Sequence, residues 1–265
     1  TPLQVPEYYD QMYKNVDPSI EFERKNPMHL KMTEKDKEDA RKVYGMVSNI
    51  DDNIGKLLQK ITDLGIEENT IIIFMTDNGP QQLRYTAGMR DKKGSVYNGG
   101  TRVPFFLKYP ALTKESKVIE TMSAHFDVLP TLSELCHVDL PKDRKIDGKS
   151  LVPLIKGKKV DWSDRSLFSY WTRKYPELYN SMAIQKAEYK LVGQTNYNAS
   201  IEDFELYHLK NDPEEIHNIV KENKAIAMKL KAELDLIYQD LIRSKNLINP
   251  PKIIVGSKRE NPLTL

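Results

Sequence analysis

Apolar residues recur at steps of three and four from Ala40 through Val43, Tyr44, Val47, Ile50, Ile54, Leu57, Leu58, Ile61 and Leu64, the stripe of an amphipathic helix. Thr33-Glu34-Lys35-Asp36 is a capping-box-like start and Gly65 a stop, so the pattern predicts one helix of roughly 30 residues. The next apolar run, Thr70-Ile71-Ile72-Ile73-Phe74-Met75-Thr76, is β-branched and does not alternate, as expected of a strand buried on both faces of a parallel sheet. Helix followed by buried strand is half of a βαβ unit and places the chain in the α/β class. The segment before this helix, residues 1–26, is rich in Pro and Tyr without a sustained period and reads as an extended stretch over a domain surface.

Gly79 to Gly100 carries glycines and charges with few apolar residues, a long loop. Val103 to Tyr109 follows as a second strand, starting beyond Pro104 or lying near an edge, because proline cannot donate to a ladder. Asp127-Val128-Leu129-Pro130-Thr131-Leu132 predicts a helix with Asp127 as N-cap, Pro130 harmless in the first turn and Cys136 on the apolar face. After about Gly157 the pattern changes to short aromatic strands, Ser166 to Trp171, Ser181 to Val192 and Phe204 to Leu209, which favour a small antiparallel sheet. An amphipathic helix over Ala225 to Ile242 presents Ile226, Leu230, Leu234, Ile237, Leu241 and Ile242 to that sheet. Two units follow: residues 1–160, belonging to the α/β domain, and residues 161–265, a small subdomain of antiparallel sheet and long helix.

Composition narrows the function classes. A chain of 265 residues with 39% hydrophobic content can bury a core. Its 40 basic and 38 acidic residues leave a formal charge of +2, so there is no whole-molecule field for nucleic acid or an anionic membrane. Anion recognition has to be local. No run of about 18 apolar residues exists to span a bilayer. The single cysteine, Cys136, excludes an internal disulfide and a multi-thiolate zinc site.

The candidate chemistry begins at Asp77-Asn78-Gly79, directly after the apolar strand. Ligands of open α/β sheets sit beyond the carboxyl ends of strands, where a carboxylate beside an amide offers two oxygens to a hard cation. Turn chemistry alone also accounts for the tripeptide. Further on, Lys93-Gly94-Ser95-Val96-Tyr97-Asn98-Gly99-Gly100-Thr101-Arg102-Val103-Pro104 sets a lysine and an arginine in a glycine-rich loop over the same strand edge. An ammonium there suits a tetrahedral oxyanion, although a solvated lysine is the commoner fate.

Taken together, Ile71 to Gly79 and Lys93 to Pro104 resemble the paired C-terminal motifs of arylsulfatases. Four further segments are similar in order: Tyr44 to Lys56; His125 to Thr131 with Asp147 to Leu151; Glu205-Leu206-Tyr207-His208-Leu209-Lys210-Asn211-Asp212-Pro213-Glu214-Glu215; and Thr1 to Pro6, which resembles the segment after a catalytic histidine. The resemblance implies part of an alkaline-phosphatase-like, mostly parallel sheet sandwiched by helices, plus a small C-terminal α+β subdomain with an antiparallel sheet. It implies Asp77 and Asn78 as ligands of a divalent metal, Ca2+, and Lys93 as the catalytic and substrate-binding cation at the sulfate oxygens. His208, in a subdomain that borders the cleft in this family, is a further substrate-binding candidate.

The family's nucleophile is a formylglycine made from cysteine or serine in a C/S-x-P-x-R motif, and Cys136-His137-Val138-Asp139-Leu140 is not that motif. Cys136 is expected to be a core thiol. The formylglycine and the remaining ligands are therefore expected in an N-terminal part outside this chain, the chain alone being inactive. That part is one expected partner and a sulfated small molecule or glycan the other, with neither nucleic acid nor membrane. Sulfatases of extracellular glycans imply an exported, periplasmic or extracellular, parent. A phosphoester or phosphonate hydrolase of the same superfamily is the nearest alternative, disfavoured by Asn78 where such relatives place histidine. A non-catalytic binding module is the other. His125, His137, His208 and His217 lack the spacing of a zinc set and read as local hydrogen-bonding or surface residues. Tyr170, Trp171 and Arg173 could face a sugar or belong to the core of an aromatic strand.

Overall fold

The computed structural model describes residues 2–172 and 177–242, with the backbone of 254–255 and 263–264. The N-terminal stretch, expected to be extended, instead forms two short helices, α1 (Glu7–Tyr13) and α2 (Ser19–Lys25). Seven residues are too few for a period to show. What holds α1 is polar: the Tyr9 hydroxyl donates to Asp52 at 2.8 Å and the Tyr13 hydroxyl lies 2.6 Å from that of Ser48. Both partners sit on α3 (Glu34–Asp63), which starts with the predicted capping box between Thr33 and Asp36 and gives way to Gly65 at φ +67°. Its stripe is only half used. Ala40 and Val43 are buried, whereas Val47, Ile50 and Leu57 are exposed.

Strand β1 (Ile72–Met75) pairs antiparallel with β2 (Phe105–Lys108), Ile72 opposite Lys108 and Met75 opposite Phe105. The second strand does begin beyond Pro104. The expected burial of β1 on both faces is not met: Phe74, Met75, Phe105 and Phe106 are all exposed. Among the described residues no further strand joins this pair, so an apolar composition made for a layered sheet meets solvent.

Between these strands lies α4 (Asn98–Thr101), and after them come α5 (Val128–Leu135) and α6 (Val152–Ile155). Asp127 stands at the predicted N-cap, but its carboxylate does not cap α5. Instead it accepts two bonds from Arg165 Nη2, at 2.7 and 2.9 Å, and one each from the backbone N–H of Ala124 and Lys149. A charged partner that bonds both carboxylate oxygens through Nη2 outcompetes the local cap. Cys136, expected in the core, is exposed where α5 ends.

The C-terminal sheet runs in the order β3 (Ser166–Tyr170), β4 (Asn180–Lys186), β5 (Tyr189–Gln194), β6 (Glu205–His208), all antiparallel. The predicted Ser181–Val192 strand is thus a hairpin, turned at Ala187 with φ +50°. Alternation along the strands splits its two faces. Met182, Ile184, Leu191 and Leu206 pack under α7 (Lys224–Ile242), whose Leu230 and Leu234 are buried against them as its periodicity predicted, together with Ala227. Ala183, Val192 and Tyr207 point the other way and bury Val96 and Tyr97. The second face of the sheet therefore seats the loop that carries Lys93.

Candidate functional site

Backbone hydrogen bonds bring the two predicted motifs to one place. The Gly79 N–H donates to the Gly100 carbonyl at 2.9 Å, and the Lys93 N–H to the Pro80 carbonyl at 2.8 Å. The first contact demands glycine: a Cβ on Gly79 would stand 1.8 Å from the Gly99 carbonyl oxygen. Asp77 and Asn78 thus leave the end of β1 directly beside the segment that starts at Lys93. Asp77 is exposed, its Oδ1 accepting the Asn78 N–H at 2.9 Å. His125, read from sequence as a local hydrogen-bonding residue, places Nε2 2.8 Å from the Thr76 carbonyl and so braces the residue before Asp77.

Lys93 is exposed while every residue from Val96 to Gly100 is buried. The loop's far side is clasped by two polar clusters that sequence reasoning did not find. In one, Lys190 Nζ lies 2.7 Å from Glu215 Oε1 and donates to Asn98 Oδ1 at 3.1 Å, while the Asn98 N–H donates to Glu215 Oε2 at 2.5 Å. Both charged side chains are almost wholly buried, 3% and 0% exposed. Burial pushes the Glu215 carboxyl above its ordinary range against the pull of Lys190, and pushes the Lys190 ammonium below its own. In the other cluster Glu205 Oε2 accepts from the hydroxyls of Tyr97 at 2.5 Å and Tyr207 at 2.8 Å and from Arg90 Nη1 at 3.2 Å. Arg90 also lies over the Tyr97 ring, 3.9 Å from its centroid. Burial, reinforced by the Glu205 carboxylate, raises both phenols well above the usual tyrosine range.

His208 is engaged elsewhere. Its Nε2 lies 3.3 Å from Glu188 Oε2 and its ring meets Tyr189 edge-on, on the β6 face opposite Tyr207. Trp171, by contrast, borders the loop. A Cβ on Gly94 would sit 3.4 Å from its Cε2. Arg173 lies outside the described residues.

As oxygen donors, Asp77 and Asn78 fit a hard cation such as calcium. Among the described residues no cluster of three carboxylates, imidazoles or thiols forms a metal site, and two oxygens alone would not complete a calcium shell. Chemically the corner offers two oxygens for a metal, an exposed ammonium for an oxyanion, and a rigid backbone between them.

The α/β framework on which Asp77, Asn78 and Lys93 meet is that of the alkaline-phosphatase superfamily. The chain belongs to the sulfatase family within it: the family model "Sulfatase" matches residues 1–138 and "N-sulphoglucosamine sulphohydrolase, C-terminal" residues 87–240. A sulfatase of Formosa agariphila is 30% identical over 209 residues, 71% of this chain and 38% of that protein. The N-acetylglucosamine-6-O-sulfatase of Bacteroides thetaiotaomicron is 29% identical over 212 residues, 76% of this chain and 36% of that one. The crystal structure of Ps i-CgsB in complex with k-i-k-neocarrahexaose superposes with a TM-score of 0.71 at 25% identity, over 89% of this chain and 47% of that one. The alkaline-phosphatase-like α/β fold with an antiparallel C-terminal sheet is thereby established; the parallel pairing expected of β1 is not met, every strand pair among the described residues being antiparallel. The chain spans less than half the length of these relatives.

Proposed function

We propose that this chain is the C-terminal part of a sulfatase that hydrolyses sulfate esters of carbohydrates. The observation that carries the reading is the pair of backbone bonds, Gly79 to Gly100 and Lys93 to Pro80, that sets Asp77, Asn78 and Lys93 at one corner. Lys93 holds the sulfate oxygens and offsets charge developing there or on the leaving oxygen. Asp77 and Asn78 supply part of a calcium shell. Calcium, when bound, contributes Lewis acidity toward the sulfate oxygens. Asn78 rather than histidine after the aspartate favours a sulfate ester over a phosphoester. The carbohydrate class is supported by relatives whose names specify sugar sulfates.

The nucleophilic formylglycine belongs, on this reading, to an N-terminal part that also covers Phe74, Met75, Phe105, Phe106 and the bare stripe of α3. Exposed apolar residues in a contiguous element mark surfaces meant for a partner. Among the described residues no helix is long and apolar enough to cross a membrane, and an exported parent suits extracellular glycan substrates. The test is an assay of the longest natural form and of this chain, side by side with calcium, on 4-nitrophenyl sulfate and N-acetylglucosamine 6-sulfate. Turnover by the long form alone, lost with a chelator, supports the reading. A long form that cleaves phosphoesters and ignores sulfate esters refutes it.

A further inference from the structure

The two tryptophans of the chain have different circumstances. Trp162 packs with the core residues around α6 and has the Arg165 guanidinium 5.0 Å from its ring centroid. Trp171 is 43% exposed. Its backbone is fixed, because its N–H donates to the Ser181 carbonyl at 3.0 Å and so extends the β3–β4 ladder by one residue. Its indole lies against Gly94, the residue after Lys93, which is held at φ +85°. A side chain there would meet the ring at Cε2, Cζ2 and Nε1, at 3.4, 3.5 and 3.7 Å. Glycine thus both tolerates the positive φ and lets the indole come up to the loop.

We propose that Trp171 is a substrate-contacting wall of the site, stacking its exposed surface against the pyranose ring whose sulfate Lys93 holds. Lys93 and Gly94 are adjacent, ~3.8 Å apart at their Cα atoms, so the indole packed against Gly94 borders the residue that carries the ammonium. An indole face presents an apolar surface with a polar edge, which complements the C–H face and hydroxyl rim of a sugar. A site with an ammonium for the sulfate and a tryptophan for the ring separates two tasks, charge recognition and ring recognition. This inference rests on the sulfatase reading and adds to it the residue that selects a ring-bearing ester.

The test uses the longest natural form with Trp171→Ala and Trp171→Phe. KM and kcat are measured for N-acetylglucosamine 6-sulfate and N-acetylgalactosamine 6-sulfate, and the inhibition constant for inorganic sulfate. Trp171→Ala is expected to raise KM for at least one sugar ester by about tenfold, the scale of one lost aromatic contact. Inhibition by free sulfate stays within twofold, and Trp171→Phe recovers part of the loss. A sugar KM within twofold of wild type overturns the proposal. So does an equal weakening of sulfate and sugar ester, which would mean that Trp171 only props up the Lys93 loop. A wild-type enzyme that hydrolyses 4-nitrophenyl sulfate but neither sugar ester also overturns it while leaving sulfatase activity standing; one inert toward every sulfate ester removes both readings.

Discussion

Replacing Glu215 by glutamine removes one charge from an ion pair whose members are 0% and 3% exposed. A surface pair would be worth under about 1 kcal/mol, but breaking a buried one costs about 3–5 kcal/mol, because the surviving charge is left without its counterion. Here the lower end applies. Glutamine keeps an acceptor for the Asn98 N–H, and Lys190 keeps Asn98 Oδ1. The expected loss for Glu215→Gln is therefore about 3 kcal/mol, read by urea unfolding of the longest form at constant m. Lys190→Met on its own strands the carboxylate and costs a similar amount. The double variant recovers at least half of the summed loss, since no buried charge remains. Burial already depresses the Lys190 pKa below its ordinary value of 10.5. The folded Glu215→Gln variant therefore sheds that proton more readily than its unfolded chain, and its stability rises with pH in the window below 10.5. A Glu215→Gln variant within about 1 kcal/mol of wild type, or a double variant as unstable as the two singles added, would refute the reasoning.

In the longest form, Lys93→Ala lowers sulfate-ester turnover by roughly 10²–10³, the loss typical of one electrostatic stabiliser, and Asp77→Ala abolishes calcium-supported turnover; near-normal rates in either sink the assignment. Tyr97 and Tyr207 have folded-state pKa values raised above the ordinary 10.0, so stability is intact below pH 10 and falls above it, by up to about 1.4 kcal/mol per pH unit for each phenol; Tyr97→Phe flattens that slope in alkaline unfolding series. Gly79→Ala drives a methyl into the Gly99 carbonyl, which parts the two motifs. Its turnover is expected to fall by at least tenfold while the β3–β6 sheet keeps its unfolding midpoint, and unchanged kinetics would show that the close approach is dispensable.

Helix α3 was legible because thirty residues of 3.6-residue period and a capping box leave no competing reading. Strand β1 was legible as a strand and misread as buried, since an apolar run reports what the sequence is built to pack against, not which neighbours are present. The N-terminal helices escaped because one turn or two generates no period. Asp127 was assigned to a cap by local grammar and is claimed by Arg165, 38 residues away, a partner no local rule sees. At the site, Asp77, Asn78 and Lys93 were readable as residue types in a specific order. Their union was not, being made by backbone bonds between glycines and Pro80. The clasp of Lys190, Glu215, Glu205 and Arg90 has separations of 92 to 117 residues between loop and subdomain. Only the Glu205–Glu215 segment signalled it, and that as a family likeness without a stated task.

The bond from the Lys93 N–H to the Pro80 carbonyl also closes residues 81–92 into an excursion whose two ends are pinned. For a flexible loop, doubling the contour length adds only about 0.6 kcal/mol of closure entropy. Residues can therefore be inserted at its exposed start, beside Gln81, ahead of Leu83, Thr86, Gly88 and Arg90, which are packed or hydrogen-bonded, at little expense to the fold. The chain thus separates what must stay fixed from what can be lengthened, and a new rim can be grown around an unchanged Lys93.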